Sequence, residues 1–276
     1  MNGPARIVAL GVALTGMVLS MSGCQQLEAR DQLNKGVDAY KSAHYEEAIG
    51  HFQRATQLDP TLSMAKTYLA TALAQNIVPG ETTPENLKTA QQAIAIYQEV
   101  LNKNPNDVNS LKRIAGIYYN VNNFDQAKIW QKKVLLVDPK DPEAAYTIGA
   151  IDWNKAHEDL LKLLAGVGLN DDGKGNVKAP KKVMDQFKQQ DADAEAEGMQ
   201  YLNQALANRP TYDNAMAYLN LMYRIKANID FGNADQVKDD LAQADQWVAK
   251  ALSTRKLNEE NAAKSPKGIT MPSQNQ

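Results

Sequence analysis

Residues able to carry chemistry are few in this chain, and they do not cluster. Its 276 residues include one cysteine, Cys24, and three histidines. His157-Glu158 is half of the His-Glu-x-x-His pattern that holds zinc on one helix face, but Leu161 stands where the second His is needed. A solvated helix turn accounts for the pair. His44 and His51 fall near a turn, as surface or capping residues. The run Asn170-Asp171-Asp172-Gly173-Lys174-Gly175-Asn176 has the composition of a calcium loop. With Gly173 in the sixth position, Gly168 occupies the first, where Asp is required, and Ala179 the twelfth, where an acid is required. An exposed Asp/Gly turn explains the run. No Gly-rich phosphate loop and no Gly-x-Ser-x-Gly elbow occurs. The sequence therefore predicts no catalytic residue, no metal site and no cofactor. With 30 basic against 32 acidic residues and a net charge of −2, the chain has no general attraction for nucleic acid.

What the sequence does carry is a rhythm. Asp59-Pro60, Asn104-Pro105, Asp138-Pro139 and Arg209-Pro210 each close a stretch built on one template, and Pro105 and Pro139 stand 34 residues apart. The first stretch places Gly36, Ala48, Phe52 and Ala55 before Pro60. The third places Leu111, Ile114, Ala115, Tyr118, Ala127 and Val134 before Pro139. Small residues suit the points where two helix axes approach closely, large apolar residues fill the remaining contact, and proline ends the second helix. No stretch alternates as a strand does. These positions resemble the tetratricopeptide repeat, whose period is 34 residues. The resemblance implies an all-α, right-handed helical-hairpin solenoid of about five repeats over residues 29–252. Interruptions are expected at 77–87, 155–194 and 228–239. The polar stretch 253–276, with Pro266, Gly268 and Pro272, reads as a largely disordered tail after a short helix extension.

The N-terminus gives a second signal. Arg6 precedes an apolar run, Ile7 to Leu19, too short to span a bilayer comfortably, followed by Ser22-Gly23-Cys24. This ending resembles a bacterial lipobox, with Met21 where Leu is usual. The resemblance implies a lipoprotein signal peptide over 1–23, lipid on Cys24, and a short linker at 24–28. It further implies a place in the bacterial envelope, held in the outer membrane and facing the periplasm, as the residue after Cys24 is Gln25.

In the tetratricopeptide family, partners bind the groove lined by the first helix of each repeat. Carried over by position, that groove takes Arg30, Leu33, Val37, Tyr40 and Lys41 from the first repeat. Asn109, Lys112, Arg113, Tyr119 and Asn120 come from the third, Tyr146, Thr147, Trp153 and Asn154 from the fourth, and Tyr218, Leu221 and Arg224 from the fifth. Rings, amides and guanidinium groups suit an extended peptide. The rings of Tyr146 and Tyr218 either face that groove or pack on a neighbouring helix. The apolar run Leu160, Leu161, Leu163, Leu164 and Val167 in the long interruption is either buried or a docking surface for a partner. The functional expectation is a non-enzymatic, lipid-anchored scaffold that binds proteins or peptides. The alternative is an accessory subunit or enzyme of the envelope acting through 155–194.

Overall fold

The computed structural model describes residues 24–264, so the expected signal peptide at 1–23 and the end of the expected tail at 265–276 lie outside the described residues. Residues 24–41 form α1. The remaining helices are α2 (Tyr45–Leu58), α3 (Ser63–Asn76), α4 (Pro84–Lys103), α5 (Val108–Asn120), α6 (Phe124–Val137), α7 (Pro142–Ala165), α8 (Lys181–Asn208), α9 (Asp213–Ile229) and α10 (Ala234–Lys264). No strand occurs among the described residues.

The four prolines punctuate as expected. Each follows a residue whose N–H closes the preceding helix: Asp59 donates to Ala55 O, Asn104 to Val100 O, Asp138 to Val134 O and Arg209 to Ala205 O, at 2.8–3.0 Å. Proline cannot continue that ladder, and the next helix starts a few residues on. Asp107 and Asp141 cap the starts of α5 and α7 by accepting from Ser110 and from Glu143 and Ala144.

Close helix approach fixes the small residues. A Cβ on Gly36 would lie 2.5 Å from the Phe52 ring, so any larger side chain separates α1 from α2. At the α7–α8 crossing a Cβ on Gly149 would lie 2.5 Å from Leu202 and 3.1 Å from the Gly198 carbonyl.

The chain divides into two compact units, Met1–Trp130 and Gln131–Gln276. In the first, Ala48, Phe52, Ala55, Ala65, Ala70, Ala93, Ile114 and Ala115 are fully buried, and Phe52 stacks on Tyr68 at 5.5 Å. The loop before α4 is held by Asn86, whose amide accepts from Val78 N–H and donates to Val78 O and Glu81 O. In the second unit, Ala156, Leu160 and Leu164 of α7 meet Met184 and Phe187 of α8 in one core.

Several boundaries differ from those the sequence suggests. The first helix is already formed at residue 24 rather than beginning at 29. The interruption assigned to 77–87 is irregular only over 77–83, because Pro84 starts α4 under a Thr83 cap. Most of 155–194 is helix: it lengthens α7 and α8, leaving only 166–180 irregular. At 228–239 the irregular part shrinks to 230–233. The helix extension expected beyond 252 runs through Lys264. Ala251 is buried, Arg255 donates to Asp213 at 2.8 Å, and Asn258 donates to Thr211 O at 3.0 Å. These polar tethers leave no apolar period to read.

Candidate protein-binding site

The second unit gathers aromatic side chains into a continuous strip. Tyr146, Trp153 and His157 lie on α7 at intervals of seven and four residues, which puts them on one helix face. Tyr218 comes from α9, and Tyr212 is the residue that precedes α9. The rings run in sequence. Tyr212 lies 5.0 Å from Tyr146, Tyr146 lies 5.4 Å from Tyr218, Tyr218 lies 5.4 Å from Trp153, and Trp153 lies 4.9 Å from His157. Tyr146 and Trp153 each meet the Tyr218 ring at nearly a right angle, 88° and 90°, an arrangement favoured by the ring quadrupoles. Trp153 and His157 stack at 13°. All five are half-buried, and Tyr146, Trp153, Tyr212 and Tyr218 pack against the unit's core.

One end of the strip is closed by charge. The Arg209 guanidinium sits 4.6 Å over the Tyr212 ring and pairs with Glu143 at 3.3 Å. Burial raises the Tyr212 hydroxyl pKa, and Glu143 adds to the effect. Thr147 donates its hydroxyl to Glu143 O, and Asn154 donates to Glu158 at 3.3 Å. Leu221 is half-buried.

Arg224 is engaged within the second unit. Its guanidinium donates to Gly173 O, Asn220 Oδ1 and Asp245 Oδ1 at 2.9, 3.1 and 2.9 Å. It thereby pins the 166–180 loop to α9 and α10. The Asp/Gly run in that loop is a turn. Asp171 accepts from Gly173 N–H and the Asn176 amide, Asp172 accepts from the N–H groups of Lys174 and Asn176, and Asn176 also donates to Asn228 at 2.7 Å. Among the described residues no group of three or more His, Cys, Asp or Glu is placed to hold a metal ion.

The first unit presents a different face. Arg30, Lys41, Asn109 and Arg113 are exposed, and Lys112 is half-buried. Tyr40 packs on Tyr45 at 5.4 Å. Burial raises its hydroxyl pKa, and Arg113 lies close enough to oppose that rise electrostatically. Tyr119 is 40% exposed and meets Phe124 edge-on at 5.3 Å. Asn120 is half-buried, and its carbonyl accepts from Gly80 N–H. Val37 is half-buried, whereas Leu33 is buried and belongs to the core rather than to a binding face.

The second unit also holds buried charges that sequence reasoning did not single out. Asp191 of α8 is inaccessible and pairs with Lys155 of α7 at 2.5 Å, and Lys155 also reaches Asp159. Burial raises the Asp191 pKa against the opposing pull of Lys155. Glu195, 9% exposed, is raised to about 7 by burial, with Lys226 opposing and Asp230 and Asp240 reinforcing the rise. Lys226 pairs with Asp230 and with Asp240. Tyr212 and His157 were also missed as members of the strip. His157 stands four residues beyond Trp153, a spacing that would have placed it there.

Comparison with known proteins agrees with this architecture. Residues 87–151 match the Tetratricopeptide repeat family. Two solved structures share the fold over most of their length. One is a structure described as MamA RS-1 ArsTM double mutant, with TM-score 0.53, 15% identity, and 84% of this chain and 97% of that one covered. The other is MamA 41-end from Desulfovibrio magneticus RS-1, with TM-score 0.52, 16% identity, and 86% and 98% covered. The human protein Antiviral innate immune response effector IFIT1 is 37% identical over 118 residues, covering 39% of this chain. The match spans 24% of that relative, about a quarter of its length. The fold is thus the all-α helical-hairpin repeat of tetratricopeptide solenoids. Proteins of this fold are in general non-catalytic scaffolds for protein–protein interaction.

Proposed function

We propose that this chain is a lipid-anchored scaffold of the bacterial envelope that holds a protein partner on the faces formed by the first helices of its hairpins. The observation that carries this reading is the strip of half-exposed rings from Tyr212 to His157. Tyr and Trp supply large contact area at low conformational cost, and they dominate binding energy where they are presented on rigid elements. Arg113 and Asn109 offer charge and hydrogen bonds in the first unit. Asp171 and Asp172 are committed to hydrogen bonds within their own loop, which argues for a bracing role of the 155–194 region over a catalytic one. Two features support anchoring. The apolar leader ends in Ser22-Gly23-Cys24, and the Cys24 thiol is exposed at the start of the described chain. More than one acyl chain on that residue would give a stable attachment. The outer membrane, facing the periplasm, is the location that Gln25 favours.

The test has two arms. Metabolic labelling with radioactive palmitate should mark the native chain and leave Cys24→Ser unmarked and soluble; equal labelling of both removes the anchor. Isolation from cross-linked membranes should yield one partner that is lost from the Arg113→Ser, Trp153→Leu double variant while its circular dichroism stays native. A partner retained by that variant removes the face assignment.

A further inference from the structure

We propose that the aromatic strip of the second unit recognises a proline-rich segment in the polyproline II conformation. This rests on the reading of the strip as a binding face, and it names the occupant. Three observations converge on it.

The first is spacing. Tyr146 and Trp153 stand seven residues apart on one face of α7, which is about 10.5 Å along a helix axis. A polyproline II helix has three residues per turn and repeats every ~9.3 Å. Two successive turns of such a segment would therefore meet the two rings in register, with Tyr218 between them. The near-perpendicular pairs Tyr146–Tyr218 and Tyr218–Trp153 form notches bounded by one ring face and one ring edge, which suit a pyrrolidine ring.

The second is hydrogen-bond type. The backbone of α7 and α9 is consumed in its own ladders, so it offers no edge to which a β-strand could add. A helical ligand has its backbone already satisfied. A proline-rich chain lacks N–H groups but exposes every carbonyl, so it needs donors only. Trp153 and Tyr218 engage their neighbours through their rings, and an indole N–H and a phenol O–H are donors of the kind such carbonyls need.

The third is charge. Glu143 and Arg209 neutralise each other at one end of the strip, and Lys155 pairs with Asp159 and Asp191. An uncharged segment leaves these pairs intact, whereas an acidic or basic peptide would compete with them.

Full-length protein in detergent, titrated with synthetic decaproline and followed by tryptophan fluorescence and calorimetry, tests this. Binding is expected with Kd on the order of 100 µM. Tyr218→Phe keeps the ring and removes one donor, and should weaken binding ~3- to ~10-fold. Trp153→Phe should do the same and abolish the fluorescence change, with both variants melting as the parent does. Three results overturn the proposal: no binding of decaproline, binding indifferent to both variants, or tighter binding of an alanine-rich helical peptide or a cello-oligosaccharide. If a cross-linked partner is still lost from the Arg113→Ser, Trp153→Leu variant while decaproline does not bind, the binding face stands and only its occupant is wrong.

Discussion

The two units present their first helices in different ways. The first unit places exposed cations and amides, Arg30, Lys41, Asn109 and Arg113, beside isolated ring pairs such as Tyr40 with Tyr45. The second replaces that dispersed polarity with one connected strip of five rings. Its bracing differs accordingly. The lengthened α7 and α8, the Lys155–Asp191 pair and the Arg224 clamp all belong to the unit that carries the strip. Rings that are to meet a ligand in fixed register need such support, whereas flexible cations that steer encounter do not. The long interruption of the repeat thus serves as reinforcement.

Disrupting the reinforcement should affect the second unit more than the first. Phe187→Ala removes a fully buried ring between α7 and α8 and should cost about 3–5 kcal/mol in chemical denaturation. Amide exchange should rise across residues 142–229 and stay unchanged in 45–120. A uniform rise would mean that the two units unfold together.

Lys155→Met comes next. It leaves the buried Asp191 carboxylate without its cation and should cost about 1–3 kcal/mol at pH 7.5. The loss should shrink as pH falls, because protonation relieves an unpaired buried acid. A loss that does not vary with pH would assign the pair no electrostatic role.

An effect of similar size and opposite sign is expected from Glu195. Its pKa is about 7 in the folded chain against an ordinary 4.5, so the folded state binds the extra proton between those values. Stability from this group is fully present below about pH 4.5 and lost as pH rises through 7. Glu195→Gln should remove that slope and stabilise the chain at pH 8 by about 1–3 kcal/mol. Asp191 and Asp240, also raised by burial, act in the same direction, so a residual slope in the variant is expected. A slope unchanged by the substitution would contradict the assignment.

Arg224→Lys sharpens the comparison at lowest cost. It loses the three-way fork on Gly173, Asn220 and Asp245 and should destabilise by about 1 kcal/mol, with faster exchange confined to 166–180. Arg113→Ala, exposed in the first unit, should change stability by less than about 0.5 kcal/mol.

How much of this was legible follows from what each feature leaves in the sequence. Prolines, glycines and alanines at helix crossings repeat because close packing and helix termination demand those residue types, so the hairpins could be read. The extent of α7 and α8 could not. Polar runs such as Asp191 to Glu197 carry weak apolar period, and only the tertiary partners Lys155 and Lys226 make their buried acids tolerable. The same holds for α10 beyond 252, held by Arg255 and Asn258 through hydrogen bonds. Tyr146, Trp153 and Tyr218, named from their repeat positions, fall together in the ring strip. The fork of Arg224 was not legible because position alone says nothing of the loop carbonyl it meets, and Tyr212 was missed because it precedes its helix.

Site-specific photocross-linking in intact cells tests the central claim most directly. A photoreactive residue in place of Thr147, beside the strip, is compared with one in place of Lys188 on exposed α8. The account predicts a discrete cross-linked partner from position 147 and none from 188. A partner captured from 188 alone, or neither position reacting, would contradict it.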